Sequence, residues 1–233
     1  MNYIVWLFIL FLFLIISFFL YYFLSSFLLV RENMDTGDGE EKNGVIILLG
    51  DSVFKNEDYV EEGKSVYSLL TQQKERNVYN YAVDGSTIVD VYNQINQIPI
   101  DLNNENTTIF LSVGGNDIYE KFVEKENINE NSETLGAMFS AYKKLVKSIQ
   151  AKMNKSNIVL LDIYYPHSIK LKPYIPILRT WNDHLEKYAN DSSNKISDLL
   201  KISEINIDPA DFVFDIEPSE MGGEKIANFV LKA

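Results

Sequence analysis

The chain contains no cysteine, which excludes disulfides, thiolate metal sites and a cysteine nucleophile and makes the redox state of its surroundings irrelevant to it. Histidine is scarce: His167 and His184 are the two in the sequence, so chemistry that relies on an imidazole base has few places to find one. Basic residues are outnumbered, with 21 Lys and Arg against 33 Asp and Glu for a net charge of −12. A surface of that sign is repelled by phosphate backbones and anionic lipid unless it carries a local basic patch. The sequence shows no such patch, and nucleic acid is not an expected partner.

Charge is also missing locally. Residues Tyr3 to Val30 contain no charged side chain, and the run exceeds the ~20 apolar residues that cross a hydrocarbon core of roughly 30 Å. It lacks the basic start, short apolar stretch and small-residue cleavage site of a secretory signal. Residues 1–30 are therefore expected to form one transmembrane helix, an N-terminal single-pass membrane anchor. Arg31 and Lys42 are too few to set its sidedness. Residues 31–43 are acidic with Gly and Asn and almost nothing apolar, the composition of a juxtamembrane linker. Residues 44–233 are enough for one domain with its own core.

In that domain short apolar runs alternate with longer amphipathic stretches. Val45–Leu49, Val78–Val83, Thr108–Val113 and Asn157–Ile163 are apolar or β-branched, too short for helices, and read as buried parallel strands. Ser65–Arg76, Ile88–Ile98, Glu133–Met153, Arg179–Tyr188 and Ser219–Leu231 have the spacing of covering helices. The sum is an α/β fold, a three-layer α/β/α sandwich with a mainly parallel, flavodoxin-like sheet. Such sheets bind ligands at the carboxyl ends of their strands. The residues there are Asp51-Ser52, Asp84-Gly85, Gly114-Gly115-Asn116-Asp117, Tyr165-Pro166-His167 and, before the last helix, Asp215-Ile216-Glu217-Pro218. A serine hydroxyl, an amide side chain, glycine turns and carboxylates at one rim suit acyl transfer, with Ser52 as nucleophile and glycine turns that let backbone N–H groups approach an oxyanion.

Order and spacing narrow this further. Gly50-Asp51-Ser52-Val53 after the first strand, Gly85 after the second and Gly114-Gly115-Asn116-Asp117 after the third resemble the first three blocks of the SGNH (GDSL-type) hydrolases. Glu217-Pro218-Ser219, followed by Gly222 and Ile226-Ala227, resembles that family's last block, where a His-Pro turn leads into the final helix. The resemblance runs from about Val45 to the C-terminus. It implies that Ser52 attacks a carbonyl carbon, that the Ser52 N–H, the Gly85 N–H and the Asn116 side chain form the oxyanion hole, and that no metal or organic cofactor takes part. The α/β-hydrolase elbow does not fit, because its second glycine would fall at Phe54.

The last block departs from the family. Where the family has Asp-x-x-His, this chain has Phe214-Asp215-Ile216-Glu217: alignment on the Pro-Ser turn puts Glu217 at the histidine position and leaves Asp215 one residue from the aspartate position, and alignment on Asp215 puts Pro218 there. A carboxylate is roughly 3 kcal/mol poorer than imidazole as a proton acceptor. Burial beside Asp215 would raise the pKa of Glu217 and recover part of that deficit, giving a Ser52–Glu217 dyad. His167, after the fourth strand, is the alternative base, and His184 reads as a helix residue. Ser52 taken alone also suits a helix N-cap, and Asn116 a turn residue holding its own loop. Asp51, Asp117, Asp215 and Glu217 also have the chemistry to hold Mg²⁺, but no phosphate-binding lysine or second ligand cluster accompanies them and no metal is expected.

Two functions remain open. One is a membrane-anchored esterase that cleaves an acyl or acetyl ester of a lipid, a glycan or a small molecule through Ser52. The other is an inactive protein of the same fold, a pseudoenzyme that binds an acylated ligand or a partner protein.

Overall fold

The computed structural model describes residues 44–73, 76–125 and 132–233. The expected membrane span and linker lie outside these residues, and none of the described helices is long and apolar enough to cross a membrane.

Five strands form one sheet: β1 (Val45–Gly50), β2 (Asn77–Asn80), β3 (Thr107–Ser112), β4 (Asn157–Leu161) and β5 (Asp198–Leu200), in the order β2-β1-β3-β4-β5. Every pairing is parallel. β1, β3 and β4 are apolar runs buried on both faces, which is why they sit in the middle. β2 alternates exposed and half-buried residues, as an edge strand does. Three of the four expected strands end earlier at their C-termini than their apolar runs, β1 running one residue further, to Gly50. β5 is a finding of the structure, three residues being too short for a periodic signal.

The helices are α1 (Val66–Gln72), α2 (Val91–Gln97), the short α3 (Gly115–Ile118), α4 (Ser132–Lys152), α5 (Ile175–Asn190) and α6 (Glu220–Lys232). The side chains of β1 alternate between two cores. Ile46 and Leu48 meet Val66 and Leu70 of α1 and Ile226 and Val230 of α6; Ile47 and Leu49 meet Val91 of α2, Leu145 of α4 and Trp181 of α5. These two cores on opposite faces are the three layers expected from the sequence. α5 starts earlier than its apolar spacing implies, because Pro176 falls in the first turn, where its missing N–H costs nothing. A two-stranded antiparallel hairpin, β6 (Phe212–Val213) with β7 (Glu217–Pro218), precedes α6. Lys143, Lys144 and Lys147 of α4 and Lys187 of α5 line one groove together with Asp191. This local basic surface corrects the expectation that there is none; Lys143, Lys144 and Lys147 already stand together in the sequence, and the packing of α5 adds Lys187.

Candidate active site

The pairing of β1 with β3 runs to its end where Gly50 stands opposite Ser112. Gly50 has φ +129, and a Cβ there would lie 1.7 Å from the Ser112 carbonyl oxygen, so only glycine fits. The chain then turns: Asp51 accepts the Phe54 N–H on its carbonyl at 3.2 Å and the Val53 N–H on Oδ1 at 3.2 Å. Ser52 sits in this turn, buried, and caps no helix. The cap of α1 is Ser65, which accepts the Ser68 N–H at 3.1 Å. Between β1 and β3 the strand order reverses, the place where sheets of this topology bind ligands.

Gly85 lies in the turn after β2 with φ +72, and Asn116 lies in α3, directly after β3. Among the described residues neither the Ser52 N–H nor the Gly85 N–H donates to a protein acceptor. The Asn116 Nδ2 donates to the Ser86 carbonyl at 3.0 Å, so Asn116 braces the neighbouring turn and does not hold its own loop. Asp117 accepts the Ile88 N–H at 3.0 Å and serves the approach to α2.

Glu217 comes from β7, is 9% exposed, and lines one cavity with Ser52, Asn116 and Asp51. Burial raises its pKa, the nearby Ser52 hydroxyl works against that rise, and the charge of Asp84 adds to it. Its Oε2 is buried with no hydrogen-bond partner among the described residues. Asp162 also lines the cavity, and so does Asp51. Burial pushes it up to about 7, the Val53 N–H and the Ser112 hydroxyl, at 3.1 Å, hold it down, and Glu217 pushes it up again.

Two expected residues are not brought to Ser52. Asp215 is exposed at the tip of the β6–β7 hairpin, with φ +74 after Phe214 at φ +48. This left-handed pair reverses the chain in so few residues that Asp215 is carried to the surface while Glu217 turns inward. Asp51, which the sequence places in the turn with Ser52 without a catalytic role, shares the cavity with Glu217 where Asp215 does not. His167 is exposed and engaged elsewhere: its Nε2 donates to the Ile207 carbonyl at 2.6 Å, its ring rests on Phe212, and it does not line the cavity. His184 packs on Phe139 between α4 and α5. Among the described residues no three carboxylates or imidazoles converge as a ligand cluster.

Behind Ser52 the cavity becomes apolar. Val113, Ile118, Leu171, Tyr174, Leu178 and Ile202 line it, and its volume is about 90 Å³. Tyr164 also lines it, and its hydroxyl donates to the Ile216 carbonyl at 2.7 Å, which ties the Glu217 hairpin to the end of β4. No sequence signal marked these lining residues, since each reads as ordinary core.

The model of the GDSL-like lipase/acylhydrolase family matches residues 46–226. Among solved structures the chain is similar to a member of the lipolytic G-D-S-L family from Veillonella parvula, at 19% identity, covering 81% of this chain and 97% of that one with a TM-score of 0.60. It is similar to the family 3 carbohydrate esterase of Clostridium thermocellum, at 23% identity over 81% and 93% of the two chains, TM-score 0.56. A phospholipase A1 from Streptomyces albidoflavus is similar at 14% identity, 82% and 99% coverage and TM-score 0.55. Among curated proteins no sequence matches.

Proposed function

The chain belongs to the GDSL-like lipase/acylhydrolase family, and from that premise we propose that it hydrolyses carboxylic esters with Ser52 as nucleophile and Glu217 in the role of the missing histidine. As Ser52 Oγ attacks the carbonyl carbon, its proton passes to Glu217. The oxyanion is held by the Ser52 N–H, the Gly85 N–H and the Asn116 amide, donors worth about 2.7–4 kcal/mol each in the transition state. The intermediate collapses, the leaving alkoxide takes the proton from Glu217 and departs as an alcohol. Water then attacks the acyl-enzyme with Glu217 accepting its proton, Ser52 recovers that proton, and the carboxylic acid leaves.

The observation that carries this reading is the convergence of Ser52, Asn116 and Glu217 on one buried cavity, with Ser52 and Gly85 N–H groups that meet no protein acceptor among the described residues. The upward shift of Glu217 narrows its roughly 3 kcal/mol disadvantage against imidazole. The cavity supports an apolar acyl group. An apolar hole of about 150 Å³ holds one benzene, so 90 Å³ suits a chain on the order of four carbons. The membrane span expected over residues 3–30 would keep the domain near acylated lipids and other surface esters.

The test is hydrolysis of p-nitrophenyl acetate, butyrate and palmitate by the full-length chain, its Ser52→Ala variant and its Glu217→Gln variant. The expected result is a butyrate optimum, turnover abolished by Ser52→Ala and reduced at least about 100-fold by Glu217→Gln. Parent turnover equal to that of Ser52→Ala on all three esters would favour the inactive, ligand-binding reading instead.

A further inference from the structure

Gln94 lies on the buried face of α2, between Val91 and Ile95, and is 2% exposed. Burying a primary amide is unfavourable unless its donors and its acceptor are paired, and here they are. The Oε1 accepts the Gly50 N–H at 2.7 Å, while Nε2 donates to the Gly50 carbonyl at 2.8 Å and to Ser86 Oγ at 3.0 Å. Gly50 is two residues before Ser52, Ser86 directly follows Gly85, and the Ser86 carbonyl accepts the Asn116 Nδ2 at 3.0 Å. One side chain thus ties together two of the turns that carry the oxyanion donors, and Ser86 passes the link to Asn116 on the third, yet Gln94 does not line the cavity.

We propose that Gln94 is the positioning residue of the oxyanion hole, setting the mutual placement of the Ser52 N–H, the Gly85 N–H and the Asn116 amide. This rests on the Ser52 esterase reading. Donors stabilise an oxyanion only at about 2.7–3.1 Å, and a misplacement of about 1 Å costs on the order of 100-fold in rate. Strand pairing holds Gly50 opposite Ser112, and the Gly50 carbonyl accepts the Val83 N–H at 3.0 Å, but β2 ends at Asn80 and its pairing does not reach Gly85 or Ser86. Only an amide can accept from Gly50 N–H while donating to Gly50 C=O and to Ser86. The substrate would be bound by the cavity as before, so the effect falls on the chemical step.

The experiment compares the parent with Ser52→Ala, Gln94→Met, Ser86→Ala, Asn116→Ala and the Gln94→Met/Asn116→Ala pair, all in the full-length chain, with kcat and KM on p-nitrophenyl butyrate per folded molecule. Gln94→Met keeps the length and loses the hydrogen bonds. The expected result is a kcat lower by about 10- to 100-fold with KM changed less than about threefold. Ser86→Ala, which removes one of the three contacts, is expected to cost about two- to tenfold in kcat. Gln94→Met should cost less on the Asn116→Ala background than on the parent. A purely structural clamp would lower the melting temperature and leave kcat per folded molecule within about twofold of the parent; that result overturns the proposal. If Gln94→Met does not fold, an unchanged kcat in Ser86→Ala overturns it in the same way. Loss of turnover in Ser52→Ala with unaltered kcat in Gln94→Met sinks the Gln94 proposal alone, whereas a parent no faster than Ser52→Ala removes the esterase reading and this proposal with it.

Discussion

Three carboxyls, Asp51, Asp162 and Glu217, line the cavity beside Ser52, and burial raises the pKa of each. Burial pushes Asp51 up to about 7 and raises Glu217 as well. The consequence for stability has a definite sign. Folding raises the Asp51 pKa from its ordinary 3.8, so its contribution is fully present below pH 3.8 and is lost as pH rises through about 7. Asn at this position still offers an oxygen to the Val53 N–H and the Ser112 hydroxyl and carries no charge. Asp51→Asn is therefore expected to gain stability over the parent with rising pH, by about 2–3 kcal/mol more at pH 8 than at pH 5 in urea unfolding. A gain that did not vary with pH would mean Asp51 is already ionised at low pH. Ser52, Gly85 and Asn116 were legible because each is anchored to the end of a strand that the sequence shows. The shared cavity of Asp51 and Glu217 was not, because it joins opposite ends of the domain.

Among the elements, the β6–β7 hairpin is the one the sequence conceals. Two-residue strands carry no periodicity, and its turn uses Phe214 and Asp215 in left-handed conformations without a glycine. A non-glycine residue there costs roughly 1–2 kcal/mol, part of which glycine recovers. Asp215→Gly is expected to raise stability by about 1 kcal/mol and to leave ester turnover within about twofold, read from melting curves and steady-state rates. A large loss of turnover would return Asp215 to the catalytic group. The helices were far more legible. α4 and α6 lie within about two residues of the expected bounds at each end, α6 because Ser219 caps it by accepting the Gly222 N–H at 3.2 Å. α2 starts later than expected because Thr87 and Asp90 close a turn first, with the Thr87 N–H donating to Asp90 at 2.9 Å.

At the scale of the whole molecule the strand order 2-1-3-4-5 is what assembles the site, since it sets the ends of β1 and β3 side by side and leaves the crevice between them. The core behind the crevice supports it directly. Trp181 of α5 is fully buried and leaves no room beside Gly114, where a Cβ would lie 2.6 Å from its ring. Gly114, at φ +119, begins α3 and so places Asn116. Trp181→Ala is expected to cost about 3–5 kcal/mol in denaturant unfolding. Because the vacated space lies under α3, ester turnover should fall in the fraction that remains folded. A variant as stable as the parent would show that the core closes over the gap.

The sequence by itself determined the fold class, the parallel strands and the strand-end residues Ser52, Gly85 and Asn116. These follow from local periodicity and from the rule that ligands gather at the carboxyl edge, so no long-range contact is needed to read them. Only the tertiary structure decided which acids share the cavity of Glu217, that His167 turns away to the Ile207 carbonyl, and that the space behind Ser52 is apolar. Those facts depend on burial and on contacts between residues far apart in the chain, and the energies of both exist only once the layers have packed.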